Sequence, residues 1–240
     1  MAAAIDLLFP PRCVACGSEC EPRAGEAMFC VACDEELAVC ERPTCTRCAM
    51  VCSEMDLGHG NCASCRGSKL KFAAARTIGP YQGALRQAVL KAKHSSYDVL
   101  ADALGRRLAE AIEQSPFNEQ PEVVVPVPMH WLKRMWRGAN PAGTVAMAVA
   151  RRLELRMASD ALRCVRLLRR QATLTPPERR RNVRGAFRAA RPNKIAGKRI
   201  LLVDDVMTTG ATAHEGSRAL LEAGAATVCV ATVARSAPDV

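Results

Sequence analysis

The chain has 240 residues, 49% of them hydrophobic and 24% charged, the apolar content of an ordinary globular protein, which excludes wholesale disorder. No run of 18 or more residues is continuously apolar, which excludes a membrane-spanning helix; aromatics at 4% leave the cores to Ala, Val and Leu, as suits helices packed on a Val-rich parallel sheet. The formal charge of +10 is split unevenly: residues 1–70 hold six Lys/Arg and ten Asp/Glu, leaving 28 basic and 14 acidic residues beyond them, so a polyanionic partner should meet the second part.

Met1 to Phe9 has no basic n-region, carries Asp6 inside its apolar stretch and runs into Pro10-Pro11. It reads as a retained hydrophobic anchor and not as a signal peptide, and the expected compartment is the cytosol. Eleven of the 13 cysteines lie in the first 65 residues, and in a reducing compartment clustered thiols point to metal ligation ahead of disulfides. Cys164 and Cys229 stand apart in apolar surroundings and read as small buried hydrophobes.

The cysteine cluster is an internal repeat. Cys13, Cys16, Cys20, Cys30 and Cys33 recur 32 residues later (45 − 13) as Cys45, Cys48, Cys52, Cys62 and Cys65. Each unit is Cys-x-x-Cys, a spacer and Cys-x-x-Cys, the four-thiolate layout of a zinc ribbon, in which each tight turn aims two sulfurs at one tetrahedral ion. Two structural zinc sites are predicted, Cys13, Cys16, Cys30 and Cys33 at one and Cys45, Cys48, Cys62 and Cys65 at the other, with cross-braced pairing and a disulfide framework as alternatives. Cys20, Cys40, Cys52 and His59 read as spare groups. With so few apolar residues per unit, metal should supply much of the folding free energy, and a closed four-sulfur site has no open position for catalysis.

The second part changes character after Arg66-Gly67, which predicts domains at 1–68 and 69–240. Apolar spacing predicts helices over Gly83 to His94 and Asp98 to Ser115, the latter with Val99, Leu100, Ala103, Leu104, Leu108, Ala111 and Ile112 on one face. A Val-rich strand over Glu122 to Val127 follows, then a basic loop, a helix from Pro141 to Leu153, a strand near Ala161 to Leu167 and an Arg-rich stretch. The chain then alternates strand Arg199 to Val203, helix Ala213 to Ala223 closed by Gly224, and strand Ala226 to Val233. This alternation predicts an α/β fold, a doubly wound, mostly parallel sheet with helices on both faces.

Ile200 to Thr212 is the most informative segment: a buried strand ends in Asp204-Asp205, and a small-residue loop leads into a helix. In open α/β sheets that junction is where ligands bind. The loop's backbone N–H groups and hydroxyls, with the positive end of the helix, suit a phosphate monoester, and Gly210 permits close backbone approach. Two acids beside a phosphate site make sense as acceptors for vicinal hydroxyls of a sugar whose 5′-phosphate occupies the loop; a merely capped helix is the plainer alternative.

These residues resemble the phosphoribosyl pyrophosphate motif of type I phosphoribosyltransferases, and the whole chain resembles the ComF competence-protein family, which joins a double zinc ribbon to that fold. Leu7-Leu8-Phe9-Pro10, Tyr81-Gln82-Gly83, Val125-Pro126-Val127-Pro128 and Gln171 through Arg181-Asn182-Val183-Arg184-Gly185-Ala186-Phe187 also carry the resemblance. It implies that Asp204 and Asp205 hold the ribose hydroxyls and that Val206, Met207, Thr208, Thr209, Gly210, Ala211 and Thr212 form the loop around the 5′-phosphate. It implies further that Lys133, Arg134 and Arg137 in Pro126 to Gly138 meet the pyrophosphate, and that Gln171 to Arg184, with Arg179, Arg180 and Arg181, closes over the site. Arg137-Gly138-Ala139-Asn140-Pro141 departs from the family's usual Arg-Gly-Phe-Asn-Gln in lacking the aromatic and the amide.

The implied reaction is displacement of pyrophosphate from the anomeric carbon with Mg²⁺ present, through an oxocarbenium-like transition state that positioning and charge neutralisation would stabilise. Ten arginines and one acid, Glu178, lie between Arg163 and Arg191, and they could instead serve single-stranded DNA or another polyanion. A ligand sensor in a DNA-uptake machine, and an adaptor docking a competence-machinery protein through the ribbons, are the competing function classes.

Overall fold

In the computed structural model, which describes residues 10–20, 28–53, 62–132, 135, 140–169 and 174–237, the C-terminal part is organised by a five-stranded sheet. Its strands are β1 (Ala75–Pro80), β2 (Val123–Pro126), β3 (Arg156–Met157), β6 (Arg199–Met207) and β7 (Thr227–Arg235), in the order β1-β7-β6-β2-β3, and every neighbouring pair is parallel. Successive strand residues face opposite sides, so Val124, Leu201, Val203, Cys229 and Ala231 enter one core with the helices α2 (Gly83–Lys91), α3 (Asp98–Gln114) and α4 (Pro141–Arg152). Val123, Val125, Ile200, Leu202, Val228 and Val230 enter the other core with α6 (Ala211–Glu222). This is the doubly wound α/β architecture expected from the alternation of elements. Among the described residues no helix is long and apolar enough to cross a membrane.

The stripe predicted on α3 buries Leu100, Leu104, Leu108 and Ile112, but Val99 is 55% exposed, one step of the helix round from Leu100. Gly105 sits where α3 meets α4: a Cβ there would lie 2.6 Å from the Val145 carbonyl oxygen and from the Ala148 Cβ. The two helices therefore pack at backbone contact, for which a glycine in a helix interior costs about 1 kcal/mol of propensity.

Several predicted elements differ in detail. The strand expected at Arg199 to Val203 continues through both aspartates to Met207, because its pairing with β7 continues to Met207 and Arg235. The strand expected near Ala161 to Leu167 is β4 (Leu162–Cys164), and it lies outside the main sheet, antiparallel to β5 (Phe187–Ala189), in a small hood. Between them the stretch read as a loop forms a helix, α5 (Pro176–Val183), started by a capping box in which the Thr175 N–H donates to Glu178 Oε2 at 2.8 Å. Strand β1 has no counterpart among the predicted elements. Gln171 and the first nine residues lie outside the described residues.

The cysteine repeat is also a structural repeat. Bridges Arg12↔Glu19 and Thr44↔Val51 are 32 residues apart (44 − 12), and the Cys13 N–H to Ser18 and Cys45 N–H to Met50 bonds are both 2.8 Å. The short helix α1 (Val31–Glu36) belongs to the first unit, and Leu37 just after it is 1% exposed in the core of α2 and α3. The second unit instead places Ala49 in the core on the α6 face, with Phe72 and Met207.

Candidate functional site

The repeat brings its sulfurs together in sequential pairs, not cross-braced ones. Those of Cys13, Cys16, Cys30 and Cys33 lie within 4.8 Å of one another, as do those of Cys45, Cys48, Cys62 and Cys65. Separations of 3.7 Å (Cys16 to Cys30), 3.8 Å (Cys45 to Cys65) and 3.5 Å (Cys48 to Cys62) match the about 3.8 Å edge of a tetrahedron with Zn–S bonds of about 2.3 Å. The Ser18 hydroxyl and N–H bring the Cys16 thiol down to about 6. At Cys45 burial works the other way, and the N–H groups of Cys62, Cys48 and Arg47 still bring it down to about 7. Each cluster thus holds a sulfur poised as the thiolate that a metal needs. All 13 cysteines are free thiols, and neither cluster includes Cys20, Cys40 or Cys52. His59 lies outside the described residues.

The clusters differ in setting. Cys16 is exposed and Cys30 and Cys33 are half-buried in the first, whereas all four sulfur-bearing residues of the second are buried. Cys229 is buried as expected, but Cys164 is only half-buried and lines the cleft described next; it ends the short hood strand, whose pattern alternates burial and exposure.

At the carboxyl end of β6 lies a cleft of about 610 Å³ lined by Asp204, Asp205, Val206, Met207, Thr208, Gly210, Ala211 and Thr212. Extension of β6 through the acid pair fixes both carboxylates on a strand. Asp204 Oδ1 accepts the Asp205 N–H at 2.9 Å, and Asp205 Oδ1 accepts the Val206 N–H at 2.7 Å. Burial, and then the neighbouring Asp205 charge, push the Asp204 carboxyl well above the usual carboxylate range. It opens to the cleft on one side only, with the sheet packed behind it.

Gly210 makes the turn from the loop into α6. Its φ of 74° is left-handed backbone that other residues adopt only with strain, and it starts the helix at Ala211, two residues earlier than predicted. First-turn N–H groups have no intrahelical carbonyl to bond, and Ala211 to Ala213 bring that turn to the cleft wall. Thr209 is the loop residue that does not line the cleft; its Oγ1 accepts the Ala211 N–H at 3.4 Å.

The cationic residues divide. Arg179 lines the cleft, while Arg180 and Arg181 are exposed on successive positions of α5 and do not line it, because a helix turns about 100° per residue. Lys133, Arg134 and Arg137 lie outside the described residues, and the loop after β2 reaches the cleft through Val127 to His130.

Lys93 was not anticipated. Just past the end of α2, its Nζ lies 3.3 Å from Asp205 Oδ2; two lysines closing an amphipathic helix were the only signal, and they read as solvated. Glu215, also unanticipated, is 8% exposed and accepts from the Gly185 N–H and from Arg218 Nη2, both at 2.9 Å. It thereby ties α6 to the hood strand that brings Phe187 to the cleft.

Residues 96–239 match the phosphoribosyl transferase domain, and residues 4–66 match the double zinc ribbon domain. The DNA utilization protein YhgH of Salmonella typhimurium is 31% identical over 179 residues, 73% of this chain and 78% of that protein. The YhgH of Escherichia coli (strain K12) is 29% identical over 209 residues, 83% and 89% of the two chains. Competence protein F of Haemophilus influenzae is 28% identical over 198 residues, 81% and 85%. Matched over more than half its length, the chain belongs to the phosphoribosyl transferase domain family, in the double-zinc-ribbon branch that includes YhgH and Competence protein F.

Proposed function

We propose that the cleft binds phosphoribosyl pyrophosphate with Mg²⁺ and transfers ribose 5-phosphate to an acceptor nucleophile. One observation carries this reading: the acid pair that ends β6 and the helix start at Gly210 to Thr212 line the same cleft, so hydroxyl acceptors and phosphate donors are offered together. Asp204 and Asp205 take the vicinal hydroxyls. Thr208, Gly210, Ala211 and Thr212 take the 5′-phosphate, and Val206, Met207 and Thr209 shape the loop around it.

The carboxylate oxygens of Asp204 and Asp205 are hard ligands of the type Mg²⁺ prefers, and the ion supplies neutralisation of the departing pyrophosphate. Lys93 and Arg179 bring positive charge to the same cleft, and Lys133, Arg134 and Arg137 are assigned to the pyrophosphate by family resemblance. As the anomeric C–O bond breaks, the protein's task is to hold the sugar and acceptor in line and to stabilise charge. Hydroxyl donors and nearby cations favour the charged form of a carboxyl, so docking draws Asp204 toward its carboxylate. Proton release on binding, read from the buffer dependence of the binding heat, is the expected accompaniment.

Calorimetry with phosphoribosyl pyrophosphate and Mg²⁺ tests the site. Two charged hydrogen-bonding partners are each worth about 1.5–3 kcal/mol, so Asp204→Asn/Asp205→Asn should weaken binding about 100-fold or more and abolish pyrophosphate release. Undiminished affinity in the double variant would remove the assignment.

A second reading is supported by the hood, where Arg163, Arg169, Arg180, Arg181, Arg184 and Arg188 are all exposed. Such a surface suits single-stranded DNA or another polyanion, with competence-machinery proteins meeting the ribbons. Affinity for an oligonucleotide should then fall steeply and linearly on a log–log plot against salt; a flat response discards it.

A further inference from the structure

Arg235 ends β7 with 6% of its surface exposed. Its Nε donates to the Cys48 carbonyl at 2.9 Å, and its Nη1 donates to the carbonyls of Met207 at 3.0 Å and Ser236 at 2.5 Å, and to that of Thr208. One side chain therefore bonds both a knuckle of the second cysteine cluster and the first residues of the loop below the acid pair. Burying a guanidinium is costly unless charge and hydrogen bonds compensate. Among the described residues no carboxylate pairs with Arg235, and the charges it meets are those of Cys48, Cys62 and Cys65. Four thiolates around a divalent zinc carry a net double negative charge, which is the counter-charge such a cation needs.

A second path runs beside the first. Arg47, between Cys45 and Cys48, donates through Nη2 to the Leu70 carbonyl at 2.8 Å and through Nη1 to that of Phe72. Leu70 packs on the second cluster, and the Leu70 and Phe72 side chains lie 3.8 and 3.9 Å from where a Cβ on Gly210 would be. The first unit is fastened elsewhere: Lys91 Nζ donates to the Ala15 carbonyl at 2.7 Å, and Arg107 pairs with Asp34.

We propose that the second cysteine cluster, loaded with zinc, is the rigid support of the loop from Met207 to Gly210, and that Arg235 is the positioning residue coupling metal to ligand. The ligand half of this statement rests on the loop being the 5′-phosphate site. Coupling free energies are reciprocal: if zinc in the second cluster favours the binding geometry of the loop, a bound phosphate raises zinc affinity there by the same factor.

The test is an equilibrium titration of zinc out of the full chain with a chromophoric chelator, with and without ribose 5-phosphate. Wild type should release two ions in separable steps, one of them shifted to higher chelator by ribose 5-phosphate. Arg235→Met should weaken that same step about tenfold without ligand, a typical size for such coupling, and should abolish the ligand-dependent shift. Arg107→Gln, which loosens only the first unit, should leave that step unchanged. Arg235→Lys keeps the cation but cannot bridge the same carbonyls, and it supplies the comparison if the Met variant fails to fold. Zinc held as tightly as in wild type, with the ligand-dependent shift intact, would overturn the proposal. If ribose 5-phosphate shifts neither protein but Arg235→Met still loosens one ion, the phosphate assignment fails and the support of the loop by the metal stands.

Discussion

The two cysteine units share spacing, bridge pattern and hydrogen bonds, yet the first lies against α2 and α3 with Cys16 open to solvent, and the second is buried against the loop of the cleft. The equivalent turn positions show the divergence. Gly17 has φ 81°, and its counterpart Ala49 has φ 55°, left-handed backbone that costs a residue with a Cβ about 1–2 kcal/mol. Ala49 is 1% exposed, in the core with Phe72, so its methyl gains contacts that a glycine would lack. Duplication copied the metal geometry, and the neighbours each copy found decided what its rigidity is used for.

The largest effect that could break this comparison is loss of one metal from either unit. Cys48→Ser and Cys16→Ser should each lower bound zinc from two ions to one by elemental analysis, but Cys48→Ser should weaken ribose 5-phosphate binding more than about 100-fold and Cys16→Ser less than about 3-fold, at 1.4 kcal/mol per factor of ten. Equal losses would mean that the two units are equivalent supports.

A smaller effect sharpens the same contrast from the other side. Leu37 anchors the first unit in the α2 and α3 core at 1% exposure, and Leu37→Ala should cost about 2–5 kcal/mol in denaturant unfolding. Ligand affinity of the folded protein should stay as it is; a coupled loss of affinity would show that the first unit reaches the cleft too.

The smallest effect concerns the loop's own electrostatic cost. With the Asp204 carboxyl raised in the folded state, the folded protein binds more protons than the unfolded chain between the two titrations, so stability falls as pH rises from about 4. Asp204→Asn should flatten that slope and raise the neutral-pH melting temperature of the ligand-free protein, by about 2–4 °C per kcal/mol recovered, with zinc content unchanged. A melting temperature that drops at neutral pH would contradict the assigned burial cost.

The parts legible in the sequence were those written in local pattern. A fixed displacement of five cysteines announced both clusters, and the apolar run Ile200 to Val203 before two acids announced the strand and its site. Strand β1, Ala-Arg-Thr-Ile-Gly-Pro, has only two β-branched residues and owes its strand to pairing with β7. Helix α5 buries only Val183, so no apolar period could reveal it, although Thr175 and Glu178 carried a readable start. Lys93, Glu215 and Arg235 act through partners far away in sequence, Cys48 and Arg235 being 187 residues apart. Charge and hydrogen bonding across such distances leave no trace in spacing.

Strand β1 and helix α2 lie in the interval between the two matched family segments, 4–66 and 96–239. The Ala73 N–H donates to Val228 and the Val230 N–H to Ala74, at 2.8 and 2.9 Å, so the connector leaving the second ribbon is already stitched to the sheet before β1 begins. Cutting the gene at the family boundary would therefore produce a transferase half with a bare sheet edge at β7 and an uncovered apolar flank, a fragment inclined to self-associate.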